Sequence, residues 1–132
     1  MQSSIPLEEH EQNLFLEWLK LAHPKIWNVT IHIANQRKTT WGFGKRLKKS
    51  GVKSGFPDLM IFKPIDPWHG LAIEMKRRHQ EKLKKRTSQD EWIKKLNDAG
   101  YLACYAFGFD QAKQVLEYYL QGKKFKEYND DV

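Results

Sequence analysis

Leu71-Ala72-Ile73-Glu74-Met75-Lys76 is the stretch whose reading decides the fold. Apolar residues at 71, 73 and 75 face one way, and Glu74 and Lys76 face the other. That period of two belongs to a β-strand. The segment just before it, 63–70, holds Pro64, Pro67 and Gly70 and reads as a loop. Earlier still, Leu59-Met60-Ile61-Phe62 is a short apolar run, read as a buried strand. The loop is short enough for the two strands to pair antiparallel. Such a pair can bring Asp58, at the start of one strand, beside Glu74 on the next.

Further upstream, residues 7–22 read as an amphipathic helix. Leu14, Phe15, Trp18, Leu19 and Ala22 recur at helical spacing. His23-Pro24 ends it, because proline disfavours a helical residue before it. Residues 28–33 look like a strand. A polar, basic stretch then runs to Ser54, with Gly42, Gly44 and Gly51 as turns. Downstream, a basic loop covers 77–87, and Ser88-Gln89-Asp90-Glu91 matches a capping box that opens a helix. Trp92, Ile93 and Leu96 form its apolar stripe, and Gly100 stops it. Residues 101–107 read as a strand. Asp110 can cap a last helix carrying Ala112, Val115, Leu116, Tyr119 and Leu120, with Gly122 at its end. The order is αβββαβα, a mixed α/β domain with helices packed on a sheet. Residues 1–122 form one domain in this reading, and 123–132 a polar tail.

The chain has 132 residues, 40% apolar and 13% aromatic, enough for one core. No apolar run approaches the roughly 20 residues that cross a bilayer. The start lacks the pattern of a secretory signal. One cysteine, Cys104, excludes an internal disulfide and a multi-cysteine metal site. A reducing, cytoplasmic compartment fits this usage. The formal charge is +7, and twelve of the 23 basic residues fall in two short windows. Lys45, Arg46, Lys48, Lys49 and Lys53 form one. Lys76, Arg77, Arg78, Lys82, Lys84, Lys85 and Arg86 form the other. Clustered positive charge points to a polyanionic partner, nucleic acid first, although a solvated basic loop has the same composition.

Asp58, Glu74 and Lys76 carry the chemistry. Two carboxylates held close on buried strands are costly unless something compensates their charge. A hard divalent cation does so, and magnesium prefers a few carboxylate oxygens while keeping several waters. Such a metal can polarise a phosphate and activate a water. Lys76, on the face of Glu74, can orient that water or neutralise developing charge. Taken singly the parts are bland: Glu-x-Lys is common on exposed strands, and Pro-Asp is a common turn. Their order at strand ends is the specific feature.

Those residues carry a resemblance. Leu47-Lys48-Lys49-Ser50-Gly51-Val52-Lys53-Ser54-Gly55-Phe56-Pro57-Asp58-Leu59, Gly70-Leu71-Ala72-Ile73-Glu74-Met75-Lys76, Ser88-Gln89-Asp90-Glu91-Trp92 and Gly100-Tyr101 resemble the VRR-NUC nucleases, a branch of the PD-(D/E)-x-K superfamily. The first helix also looks like the family's through Glu8, Gln12 and Trp18. The resemblance runs from about Glu8 to Leu120. It implies a restriction-endonuclease-like αβββαβ core with a mixed central sheet. It also implies Mg²⁺ or Mn²⁺ bound by the side chains of Asp58 and Glu74 and by the backbone carbonyl of Met75. Lys76 would be the catalytic lysine, and Gln89 would begin the next helix and point back at the site. The family's helix glutamate falls on Glu8 by its four-residue spacing to Gln12, with Glu11 as the rival nearer the apolar stripe. A helix-start glutamine bonded to backbone, and a first-turn acid favoured by the helix dipole, are the plainer readings of these two positions.

Stand-alone members of the family, in phages and bacteria, resemble Holliday-junction resolvases and are expected to act as homodimers on four-way junctions. The implied function is therefore a metal-dependent, structure-specific DNA endonuclease. A sequence-specific restriction-type nuclease would need base-reading insertions, and none long enough is visible. A catalytically silent DNA-binding module has no reason to keep Asp58, Glu74 and Lys76 together. Lys45, Arg46, Lys48, Lys49, Lys53, Arg77, Arg78, Lys84, Lys85 and Arg86 are the expected DNA contacts. His32, His69 and His79 show no ligand spacing and read as structural or solvated. Trp41 and Phe43 are the best candidates for base stacking, and the role of Asn35 stays open. For a dimer surface the sequence offers the last helix (Tyr118, Tyr119) or the 26–44 region with Trp27, Trp41 and Phe43.

Overall fold

The computed structural model describes residues 7–33, 55–78 and 87–125. Its elements are α1 (Glu8–Ala22), α2 (Pro24–Trp27), β1 (Thr30–His32), β2 (Leu59–Ile61), β3 (Leu71–Lys76), α3 (Ser88–Asp98), β4 (Leu102–Phe107) and α4 (Phe109–Leu120). Against the expected order there is one addition among the described residues. Pro24 both ends α1 and opens the single turn α2, because proline at a first helical position costs no hydrogen bond.

The four strands lie in the order β1-β2-β3-β4. β1 and β2 are antiparallel, with Thr30 opposite Ile61, and so are β2 and β3, with Leu59 opposite Ile73. β3 and β4 are parallel, with Glu74 opposite Tyr105. A parallel pair needs a crossover, and α3 supplies it. The sheet is therefore mixed, with helices against it.

Strand alternation sorts the core into two layers. Leu59, Ile61, Leu71, Ile73, Met75, Leu102, Cys104 and Ala106 pack with Phe15 and Leu19 of α1 and with Ala112, Val115, Leu116 and Tyr119 of α4. Met60, Ala72 and Ala103 pack with Leu96 of α3, beside Trp92, Ile93 and Phe56. β3 is buried at all six positions because helices cover both of its faces. A fully buried leucine contributes roughly 1.5–3 kcal/mol, so Leu71, Ile73 and Met75 anchor this strand in the core.

Three local readings are corrected. The capping box of α3 sits one residue earlier than Ser88. Thr87 Oγ1 accepts from the Asp90 N–H at 3.2 Å, and Asp90 Oδ2 accepts from the Thr87 N–H at 2.9 Å. Both registers offer a hydroxyl and an acid three residues on. The observed one also lets Asp90 accept from the Tyr105 hydroxyl on β4. The residue before α4 is Gly108, not Asp110, which lies in the helix's first turn. The inward face of α1 is Glu11, Gln12, Phe15 and Leu19, while Leu14 and Ala22 are exposed. Its N-terminal half thus buries polar side chains, which leads to the site.

Lys123–Phe125, the start of the expected tail, includes a packed residue: Phe125 meets the Tyr118 ring edge-on at 5.4 Å. Among the described residues no helix is long and apolar enough to cross a membrane. Cys104 is buried in the core, and burial pushes its thiol up to about 12.

Candidate active site

The sheet's two central strands carry the site. Among the described strands β1 and β4 are the edges, whereas Glu74 and Lys76 lie on β3 and Asp58 stands at the start of β2. Asp58 directly precedes Leu59. The Leu59–Ile73 register brings it level with Glu74. Asp58 Oδ2 accepts the Met75 N–H at 2.9 Å, which fixes the carboxylate against β3. In an extended strand the N–H and C=O of one residue point the same way. The Met75 carbonyl therefore also faces the Asp58 side, beyond the last paired residue of β2.

Glu8, Asp58 and Glu74 each bring a carboxylate oxygen within 4.8 Å of the other two. Glu74 is 1% exposed, and its Oε1 has no hydrogen-bond partner. Burial, then the charge of Asp58, pushes the Glu74 carboxyl up to about 9. Burial also raises Asp58, against the opposing hydrogen bond from Met75. Acidic side chains held together at such a cost, with one oxygen left unsatisfied, make a donor set that fits a hard divalent cation.

Lys76 emerges on the same face as Glu74 and is 7% exposed. Its Nζ donates to Gln89 Oε1 at 2.7 Å, and Gln89 Nε2 donates to Glu74 Oε2 at 2.9 Å. The lysine can only donate, so it fixes which end of the amide faces which partner. The Lys76 ammonium also stands 5.7 Å above the centre of the Tyr105 ring. Gln89 reaches both residues because α3 is pinned nearby. Asp90 is held by Thr87 and Tyr105, and Gly55, at φ +85°, packs tightly on Ser88. A Cβ there would lie 2.6 Å from the Ser88 carbonyl carbon.

The two helix glutamates go to different places. Glu8 joins the acidic cluster. Glu11 is fully buried and bonded to Arg78, Nε to Oε2 at 2.8 Å and Nη2 to Oε1 at 2.7 Å. That hydrogen bonding holds the Glu11 carboxyl below its ordinary value. Arg78, expected on the DNA, thus spends its guanidinium on Glu11.

His32 stands nearer the site than its spacing suggested. It hydrogen-bonds Gln12, lies opposite Leu59, and its proximity favours the charged form of Asp58. Tyr105 is not singled out by the sequence, and Asp90 only as part of the capping box. These contacts join residues far apart in sequence, and no local pattern signals them. His69 lies just before β3, edge-on to Tyr101 at 5.7 Å, with its backbone N–H bonded to the Gly100 carbonyl. Lys45, Arg46, Lys48, Lys49, Lys53, Lys84, Lys85 and Arg86 lie outside the described residues, as do Asn35, Trp41, Phe43, His79 and Lys82.

The VRR-NUC domain family model matches residues 8–109, most of the chain and every residue of this cluster. The chain belongs to the VRR-NUC domain family. A solved structure described as a VRR_NUC domain protein is similar over 93% of this chain and 95% of its own. It shares 27% sequence identity at a TM-score of 0.78. Comparison with curated proteins gives no match. As a VRR-NUC domain, the chain has a nuclease-type, DNA-binding fold, and its acidic cluster is a possible metal site.

Proposed function

We propose that this VRR-NUC protein is a divalent-metal-dependent DNA endonuclease that acts as a homodimer on branched DNA, four-way junctions above all. The observation that carries the nuclease reading is the meeting of the Glu8, Asp58 and Glu74 carboxylates beside the Lys76–Gln89 pair. The donors are all oxygen, which suits Mg²⁺ or Mn²⁺ rather than a softer metal. Glu8, Asp58, Glu74 and the Met75 carbonyl would hold the ion. Bound there, it would polarise the scissile phosphate and lower the pKa of a water.

The protein's own groups do the rest. Asp58, fixed by the Met75 N–H, sets the position of the donor set against β3. Gln89 holds the Lys76 ammonium beside Glu74, so that its charge faces the reacting phosphate without wandering. Tyr105 closes one side of the lysine and limits its contact with water. The basic residues 45–53 and 77–86 supply phosphate contacts that set binding strength.

The preference for junctions follows from symmetry. One site hydrolyses one strand, and resolving a junction takes two nicks related by a two-fold axis. An isologous dimer repeats the site with that same symmetry. The test is incubation with linear duplex, flap and four-way junction DNA, with and without Mg²⁺ or Mn²⁺. Paired symmetric nicks in junction DNA, present only with metal, support the reading. Cutting of linear duplex at one sequence would instead identify a restriction-type enzyme. Binding without cleavage under any metal would identify a silent module.

A further inference from the structure

Glu11 and Arg78 stand beside the acidic cluster and supply no ligand to it. Glu11 is fully buried, yet it is a charged residue on the inward face of a helix. Its carboxylate is received by the guanidinium fork of Arg78 and by the backbone of Phe109 at the start of α4. A two-bond fork fixes direction as well as distance, which a single bond does not.

We infer that the Glu11–Arg78 pair is a positioning device for Glu8, locking the first turn of α1 so that the Glu8 carboxylate stays with Asp58 and Glu74. The inference rests on the metal-site reading above and concerns what holds that site together.

Three features support it. First, α1 begins at Glu8 itself, and Leu7 before it provides no side-chain cap. A helix end without a cap frays, because its first N–H groups lack partners. Glu11, three residues on, shares a face with Glu8 and holds that turn from its side. Second, Arg78 lies two residues beyond Lys76 and four beyond Glu74. The fork thus ties the turn bearing Glu8 to the strand bearing the other half of the site. Third, the backbone is built around the pair. Gly108, at φ +94°, passes so close that a Cβ would lie 2.7 Å from Glu11 Oε2 and 3.0 Å from Arg78 Cβ. Helix α1, the end of β3 and the β4–α4 junction all meet at this one ion pair.

The test is Mn²⁺ affinity, measured by electron paramagnetic resonance of the free ion, in Glu8→Gln, Glu11→Gln and the double variant, with circular dichroism to check folding. Glu11→Gln should weaken Mn²⁺ binding on the order of tenfold, the loss typical when the support behind a ligand is removed. The double variant should bind no more weakly than Glu8→Gln alone, since the ligand being positioned is already gone. A double loss equal to the product of the two single losses would overturn the positioning role and leave the metal site standing. Unchanged Mn²⁺ affinity in Glu8→Gln would instead overturn the ligand set, and this inference with it. If Glu11→Gln fails to fold, Arg78→Lys carries the test, because it keeps the charge and removes the fork. Weakened Mn²⁺ binding in that folded variant supports the inference, and wild-type binding overturns it.

Discussion

Gln89 donates its side-chain amide to Glu74 Oε2 across 2.9 Å, from the first turn of α3 to the middle of β3. The other end of the same amide accepts from Lys76. One uncharged side chain therefore bridges the Glu74 carboxyl and the Lys76 ammonium. Replacing it with alanine should release both. Gln89→Ala is expected to lower kcat by about 10–100-fold, with a parallel loss of metal affinity. The thermal midpoint should change little, since Gln89 is only partly buried. Single-turnover kinetics and Mn²⁺ titration check this, and wild-type values in both would mean the bridge has no role.

Lys76→Ala should abolish cleavage and leave DNA binding largely intact. Lys76 is one of 23 basic residues for binding, but the one held by Gln89 beside Glu74. Losing a charge that faces the transition state costs on the order of 10²–10³ in kcat. Fluorescence anisotropy in EDTA, set beside cleavage in Mg²⁺, separates the two effects. Equal loss of both would reduce Lys76 to a phosphate anchor.

The acidic cluster makes stability depend on pH in a defined direction. Glu74 has an ordinary value of 4.5 and is pushed up to about 9 in the fold. A group raised on folding stabilises the fold fully below its unfolded value. That contribution is lost as pH rises through the folded value. The metal-free protein should therefore melt at progressively lower temperature between pH 5 and 9, cluster effects dominating. Divalent metal should reverse this, and its binding should release protons and tighten as pH rises. Calorimetry in buffers of different ionisation enthalpy reads the protons directly. A metal-free melting temperature that climbs over this range would contradict the assignment.

Binding should weaken steeply with salt, as phosphate contacts release counterions. Substituting Lys84, Lys85 and Arg86 with glutamine should flatten the plot of log affinity against log salt by up to about 0.9 per lost phosphate contact. An unchanged slope would place this cluster off the DNA path.

Light scattering at micromolar concentration should give a particle of twice 15.7 kDa. Of the surfaces open to pairing, the last helix keeps Tyr118, which is 41% exposed, whereas Tyr119 is buried with its hydroxyl on the Lys63 carbonyl at 2.5 Å. Trp27 is half-buried beside Lys20. A monomer that also fails to nick junctions symmetrically would remove the dimer reading and favour a single-strand-nicking or flap-cutting nuclease.

The sequence by itself determined the order of strands and helices and which strand residues share a face, because these follow from periods of 2 and 3.6 that act within a few residues. It did not determine the inward face of α1, where Glu11 and Gln12 are buried and Leu14 is exposed. Glu74 and Lys76 stand on one side of β3 for that reason, and Asp58 comes level with them because a short loop allows only an antiparallel return. Where two local solutions were nearly equal, the sequence did not choose. Thr87 won the helix cap over Ser88 because Asp90 could then also meet Tyr105, a partner fifteen residues away. Glu8 and Glu11 are equally good first-turn acids, and helical spacing alone cannot rank them. Only the tertiary structure separated them, by bringing Arg78 to Glu11 from 67 residues away and leaving Glu8 to meet Asp58 and Glu74. The physical reason is range. Backbone periodicity is set by neighbours in the chain, whereas a buried charge takes whichever compensating partner the packed elements deliver to it.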